Sequence, residues 1–269
     1  MKSFLTRLLS GIVLIALIIL TALPGGAVTA VAYGLLSCVG LYELFKAKGI
    51  QKTGMFFICL VVTVLYYVNI ALKMTYVAYD WIVAVLVLLF MLYVIRYPKY
   101  EISDIALSFM FFIYLPVFLS FVVFTRRLND GVFLVWLIYF TTWGCDTLAY
   151  CTGMLIGKHK LTPELSPKKS IEGAVGGVIG AALLAAGYGF VLNQFFGKPF
   201  SYVYYFAAIA AAGAVISQIG DLTASGIKRT YDIKDYGKLI PGHGGVMDRF
   251  DSVIIIAPII YYLSLFLFV

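Results

Sequence analysis

Apolar runs long enough to cross a lipid bilayer follow one another almost without interruption, and they leave this chain few folds to choose from. A spanning helix needs about 20 mostly apolar residues. Nine segments are candidates: roughly 8–23, 26–45, 54–72, 78–96, 104–124, 132–152, 171–195, 202–224 and 252–269. Hydrophobic residues fill 62% of the 269 positions, against roughly 45–50% in a soluble domain, and mean hydropathy is +0.99. The runs are apolar on all sides, whereas strands of a membrane barrel alternate apolar and polar residues. The expected fold is therefore all-α, a polytopic integral membrane protein of about nine transmembrane helices. The sequence carries no internal repeat and no low-complexity linker. We treat 1–269 as a single transmembrane domain, with 1–130 mainly scaffold helices and 131–269 holding the site-bearing helices and loops.

Basic residues give the orientation, because Lys and Arg accumulate on the cytoplasmic side. With a cytoplasmic N-terminus, only Lys73, Arg126, Arg127 and Lys198 fall outside; the other sixteen of the 20 Lys and Arg residues fall inside. This predicts cytoplasmic loops at 157–170 and 226–248. The net charge of +7 then follows from topology and contact with anionic lipid, and calls for no nucleic acid. Lys2 and Arg7 before an apolar run imitate a signal peptide, but the charge distribution works with the first helix retained. Cys38, Cys59, Cys145 and Cys151 sit in predicted helices with no CxxC pair, and read as small buried hydrophobes.

Charge is concentrated near the C-terminus. From Ser225 to Asp251 the chain reads SGIKRTYDIKDYGKLIPGHGGVMDRFD. Lys228, Arg229, Lys234, Lys238 and Arg249 interleave with Asp232, Asp235, Asp248 and Asp251, while His243 stands among Gly237, Gly242, Gly244 and Gly245. Acids hold divalent cations, bases clamp phosphates, and glycine lets backbone amides approach a ligand closely. The mixture points to metal-dependent phosphate handling. Asp221, Ser225 and Lys228, spaced i, i+4 and i+7, line one helix face. Asp248, Asp251 and Ser252 converge similarly as the last helix begins. A helix N-terminus favours a carboxylate in any protein, which covers Asp251 but not Asp221 and Asp146 at the same depth. Mg²⁺ commonly takes one or two carboxylates plus substrate phosphates, a role that fits Asp221 and Asp248. Pro241 to Gly245 lies directly before a helix start, where free N–H groups favour phosphate. His243 is left open as acid, base or hydrogen-bond donor.

Upstream, Asp146 lies inside an apolar span, where an ionisable residue is a functional hypothesis by default, and it shares a helix face with Tyr150. A loop from Gly157 to Gly173, broken by Pro163 and Pro167, brings Lys168 and Lys169 to the same side. We read them as phosphate contacts rather than topology determinants alone. Glu43, near the cytoplasmic end of the second helix, reads as an interfacial acid paired with a neighbouring Lys. His159 reads as an ordinary loop residue.

Two blocks carry a resemblance. Ser225-x-x-Lys228-Arg229, Lys234-Asp235-x-Gly237 and Pro241-Gly242-His243-Gly244-Gly245-x-x-Asp248-Arg249-x-Asp251 resemble the signature of the phosphatidate cytidylyltransferase (CDP-diacylglycerol synthase) family. Asp146-x-x-Ala149-Tyr150-x-x-Gly153 and Leu165-Ser166-Pro167-Lys168-Lys169-Ser170-x-Glu172-Gly173 resemble a second block of that family. The resemblance implies a nucleotidyltransferase of phospholipid biosynthesis that converts CTP and phosphatidate to CDP-diacylglycerol and pyrophosphate and requires Mg²⁺. It also implies a homodimer in the cell inner membrane, among membrane lipids, with a polar cavity open to cytoplasm and lipid. Carried over residue by residue, Asp221 and Asp248 bind metal, and Lys228, Arg229, His243 and Arg249 join them in catalysis. Asp146, Lys168, Lys169, Ser225, Lys234, Asp235, Lys238, Gly244, Gly245 and Asp251 bind substrate. A second metal or a monovalent cation is left open. The alternatives are a CTP-dependent polyprenol or phytol kinase, against which the full PGHGGxxDRxD run argues, and an ion-coupled transporter. A transporter has no need of a cation-dense Gly-His-Gly-Gly loop.

Overall fold

The computed structural model describes residues 2–73, 78–242 and 244–268, with side chains for 9–73, 79–242 and 244–267. His243 lies outside the described residues. The helices are α1 (Lys2–Ala22), α2 (Gly26–Lys48), α3 (Gly54–Ala71), α4 (Ala78–Ile95), α5 (Ile102–Phe112), α6 (Phe118–Arg127), α7 (Gly131–Tyr139), α8 (Cys145–Ile156), α9 (Ile171–Phe196), α10 (Ser201–Thr230) and α11 (Met247–Phe268). Short π-helical turns, Ile113–Val117 and Phe140–Gly144, join α5 to α6 and α7 to α8 into continuous rods. Among the described residues, seven helical spans are long and apolar enough to cross a membrane. The apolar stretches Leu9–Ala22 and Tyr79–Ile95 are shorter. The protein is an all-α polytopic membrane protein.

Two compact units emerge: Met1–Val123 with Tyr231–Phe250, and Phe124–Thr230 with Asp251–Val269. In the first, Phe45 of α2 meets Phe56 of α3 and Phe111 of α5, each at 5.4 Å between ring centroids with interplanar angles of 60° and 67°, within the edge-to-face range that aromatic quadrupoles prefer. Pro116 sits inside the first π turn, where its missing N–H breaks the regular helical ladder. Its carbonyl accepts from the Tyr67 hydroxyl at 3.0 Å, and that hydroxyl accepts in turn from Ser37 Oγ at 2.9 Å. The Pro116 carbonyl is thus satisfied inside the bundle, as a membrane interior requires.

In the second unit the key element is α9. Its buried positions include Gly173, Gly177, Ala181, Ala185 and Gly189, a small residue every fourth position, which lets neighbouring backbones close in. A Cβ built on Gly177 would lie 2.8 Å from Ala149 Cβ of α8; one on Gly189 would lie 2.8 Å from the Tyr202 carbonyl of α10. At the far end of α9, Asp130 accepts from Lys198 Nζ and from the Tyr202 hydroxyl. Burial works against the charged form of Asp130, but these two partners outweigh it and hold the carboxyl below its usual range. The clasp is therefore complete at pH values above the ordinary carboxylate range and comes apart as pH falls through the lowered pKa.

Some local expectations change. The loop after α8 is a hairpin, β1 (Lys160–Thr162) pairing antiparallel with β2 (Ser166–Ser170). Residues preceding proline are pushed toward extended backbone; Thr162 precedes Pro163 and Ser166 precedes Pro167, so the prolines favour strands here. Helix α10 runs on to Thr230, and the following loop is 231–246. Cys59 and Cys145 are buried, but Cys151 is exposed.

If the small-residue stripe sets the α9–α10 distance, Gly189→Ala should destabilise by about 1–3 kcal/mol through overpacking. Gly187→Ala, with nothing within 4 Å of the added carbon, should be neutral or stabilising. Thermal unfolding of the detergent-extracted protein, followed by loss of the monodisperse peak, checks the contrast.

Candidate active site

In the unit built on α8 to α10, Asp146, Tyr150, Lys168, Lys169, Gln218 and Asp221 line a cavity of about 350 Å³. Three elements build it. Helix α8 supplies Asp146 and Tyr150 four residues apart; strand β2 supplies the two lysines; α10 supplies Gln218 and Asp221. Ser170 ends the strand and caps α9, its Oγ accepting from the Gly173 N–H at 3.1 Å, which turns the chain from hairpin to helix beside the lysines. Glu172 accepts from the Lys158 and His159 amides and from His159 Nδ1 at 2.6 Å, so His159 helps anchor the hairpin.

Lys169 forms an ion pair with Asp221, both side chains about a quarter exposed. Asp251 interacts electrostatically with Asp221 and Asp146, and with Lys228 in the opposite sense. Three carboxylates thus share one region. Gln218 Nε2 donates to the Ala174 carbonyl at 3.1 Å, fixing α10 against α9 at cavity level. Tyr150 and Met154 on the cavity wall are 69% and 67% exposed, so the polar floor opens beside apolar side chains. Ser225 lies half-buried one turn beyond Asp221, and Arg229 is exposed in the last turn of α10.

In the other unit, the segment 234–249 folds around a second, more open cavity of about 790 Å³, lined by Lys234, Asp235, Lys238, Gly242, Gly244 and Arg249. The Ile240 amide donates to the Gly244 carbonyl at 2.8 Å, and Gly242 at φ 76° and Gly244 at φ 88° take left-handed conformations that glycine supplies without strain. Asp248 is buried, and its Oδ2 accepts from the Tyr236 and Gly245 amides, each at 2.9 Å. A carbon on Gly244 would come within 2.7 Å of that same oxygen.

Glu43 is the residue that the sequence reading underrated. It interacts electrostatically with the neighbouring Lys46, but it is only 4% exposed, and its carboxylate accepts from the Val246 amide at 3.1 Å and the Met247 amide at 2.9 Å. These are N–H groups at the start of α11, without partners inside the helix. The signal was present: an acid within an apolar span, the same ground on which Asp146 was singled out.

Residues 5–267 match the Cytidylyltransferase family, and the chain belongs to it. Over 121 residues it is 43% identical to a phosphatidate cytidylyltransferase of Bacillus subtilis (strain 168), covering 45% of this chain and 43% of that protein. Over 149 residues it is 37% identical to a Thermotoga maritima protein of the same name, covering 55% of each. In these two alignments the chain spans about half the length of its relative. A third relative so named, from Staphylococcus haemolyticus (strain JCSC1435), is 29% identical over 94% of this chain and 96% of its own length.

The two aspartates differ in what surrounds them, and this predicts different consequences of their loss. Asp248→Ala removes the acceptor of two buried amides, at about 1–3 kcal/mol for each group left unsatisfied. Trypsin should then cleave after Lys234 and Lys238 about tenfold faster as the segment opens more often. Asp221→Ala should leave that cleavage rate unchanged. Time courses resolved by mass spectrometry of the fragments check both.

Proposed function

We propose that this protein transfers the cytidylyl group of CTP to phosphatidate, giving CDP-diacylglycerol and pyrophosphate. The observation that carries the reading is the α8–α10 cavity. It sets Lys168 and Lys169 beside exposed apolar side chains, which suits the phosphate of an amphiphile whose acyl chains remain in the bilayer. Lys234, Lys238 and Arg249 around a glycine-rich turn suit the charge of a nucleoside triphosphate. The relatives' names supply the cytidine and the lipid.

In this reaction a phosphatidate phosphate oxygen attacks the α-phosphorus of CTP, the bond to the β-phosphate bridging oxygen breaks, and pyrophosphate leaves. The protein's part is to position the reactants and neutralise their charge. Lys168 and Lys169 draw the lipid phosphate to the cavity floor, and the Asp221 ion pair holds Lys169 in place. Lys228 and Arg229 close the last turn of α10, and Arg249 faces the open cavity.

Among the described residues, no group of three or more His, Cys, Asp or Glu side chains is arranged to hold a metal. A sparse donor set suits Mg²⁺, which completes its shell with phosphate and water. Asp221 and Asp248 are each candidate ligands, and bound Mg²⁺ would neutralise the phosphates as charge develops. We further place the protein in the inner membrane as a homodimer, with the site facing the cytoplasm.

CTP labelled at the α-phosphorus should give a labelled lipid, with γ-label leaving in pyrophosphate; phosphatidate should serve as acceptor and diacylglycerol should not. Label passing from the γ position into lipid would establish a kinase instead. In the same assay Asp221→Asn should lower turnover by about 100-fold or more, the scale of losing a key electrostatic contact. Topology has its own check. Single cysteines replacing Lys160 or Lys234, in a background without native cysteines, should resist an impermeant thiol reagent in intact cells and react after permeabilisation.

A further inference from the structure

Glu43 does more than meet two amides. A Cβ built on Gly237 would lie 2.2 Å from Glu43 Oε1, and one built on Gly245 would lie 2.3 Å from the same oxygen and 2.6 Å from Oε2. Contacts under 3.0 Å are essentially never seen for real Cβ atoms. The carboxylate therefore occupies the space that side chains at positions 237 and 245 would need. Neither glycine is among the positive-φ residues, so the backbone conformation does not demand glycine there. The neighbour does.

The hydrogen bonds have the same logic. Three consecutive amides, Gly245, Val246 and Met247, point to carboxylates: the first to Asp248 Oδ2, the next two to Glu43. The Tyr236 amide completes the set on Asp248. Glu43, anchored on α2 beside the fully buried Leu44 and Phe45, is thereby wedged between two stretches of the loop, at Gly237 and at Gly245, in the segment that carries Lys234, Lys238, Asp248 and Arg249. Ser10 of α1 adds a tether by donating to the Pro241 carbonyl at 3.0 Å.

We propose that Glu43 is a positioning residue of the active site: its buried carboxylate, seated between Gly237 and Gly245, sets the backbone that presents Asp248 and Arg249. Gly237 and Gly245 are then small to admit Glu43, and not to let a phosphate approach. The inference rests on the cytidylyltransferase reading for its kinetic assay, so a second readout, tryptic cleavage after Lys234 and Lys238, is taken that needs no activity.

A double-mutant cycle on the full-length detergent-purified protein decides it. In the native background Gly245→Ala should cut kcat/KM about 100-fold, the cost of displacing reacting groups by roughly an ångström. In the Glu43→Ala background the same substitution should cost no more than about twofold, since its collision partner is gone. An equal loss in both backgrounds would mean that Gly245 faces the substrate, and would overturn the proposal. Glu43→Gln keeps the volume but loses one acceptor. It should raise the Mg²⁺ concentration for half-maximal activity about tenfold, the scale on which loosening a ligand's surroundings weakens binding, and should speed cleavage after Lys238. Should Glu43→Ala give no monodisperse protein, Glu43→Gln decides alone: a lower yield with unchanged Mg²⁺ dependence, KM and cleavage rate would reduce Glu43 to a fold residue. Wild-type protein without CTP-dependent lipid labelling would sink the activity reading, while the cleavage comparison would still judge Glu43.

Discussion

Backbone amides at the start of α11 have no partners within the helix and, at the edge of a bilayer, no assured supply of water. They are met by carboxylates: Glu43 from a helix some 200 residues earlier, with the Val246 amide at a separation of 203, and Asp248 from the first turn itself. An isolated carboxylate taken out of water is costly, and a bundle of amide donors at a positive helix end is one of few environments that offsets the cost. The two needs cancel. The result is a polar knot in unit one that holds an otherwise irregular, glycine-rich segment in one conformation.

The second unit reaches order by another route. Its small-residue stripe brings α8, α9 and α10 close, and closeness is what allows short acids on α8 and α10 and lysines on β2 to line one cavity of only about 350 Å³. Larger residues at Gly177 or Gly189 would collide with α8 or α10. Packing in this unit thus determines electrostatics, whereas in the first unit electrostatics determines the path of the backbone.

Most spans were legible in the sequence because length and hydrophobicity alone define them; seven of the nine expected are long enough among the described residues, while α10 runs six residues past its expected end and α11 starts five residues early. The candidate acids Asp146 and Asp221 were legible for the opposite reason, as charges where charge is expensive. Pairings were not. Lys169 and Asp221 each stood out, but nothing in a spacing of 52 residues announces their contact. Prolines 163 and 167 were read as breakers, although proline also forces its predecessor into extended backbone, and a hairpin resulted. Glu43 was read only as an acid paired with a neighbouring Lys, since its hydrogen-bond partners are backbone amides, which carry no residue signature. The glycines around His243 suggested ligand approach, yet three of them, Gly237, Gly244 and Gly245, face protein carboxylates.

Helix α10 is longer than a bilayer crossing requires. Thirty residues at 1.5 Å each make a rod about 45 Å long, against a hydrocarbon core of about 30 Å. The excess falls naturally at the end bearing Lys228 and Arg229, since charge is least costly in water. Ser225 and the basic turn then stand above the acyl region like the top of a pier. Cations carried on such an extension keep their water, and a hydrated anion can meet them without shedding its own into oil.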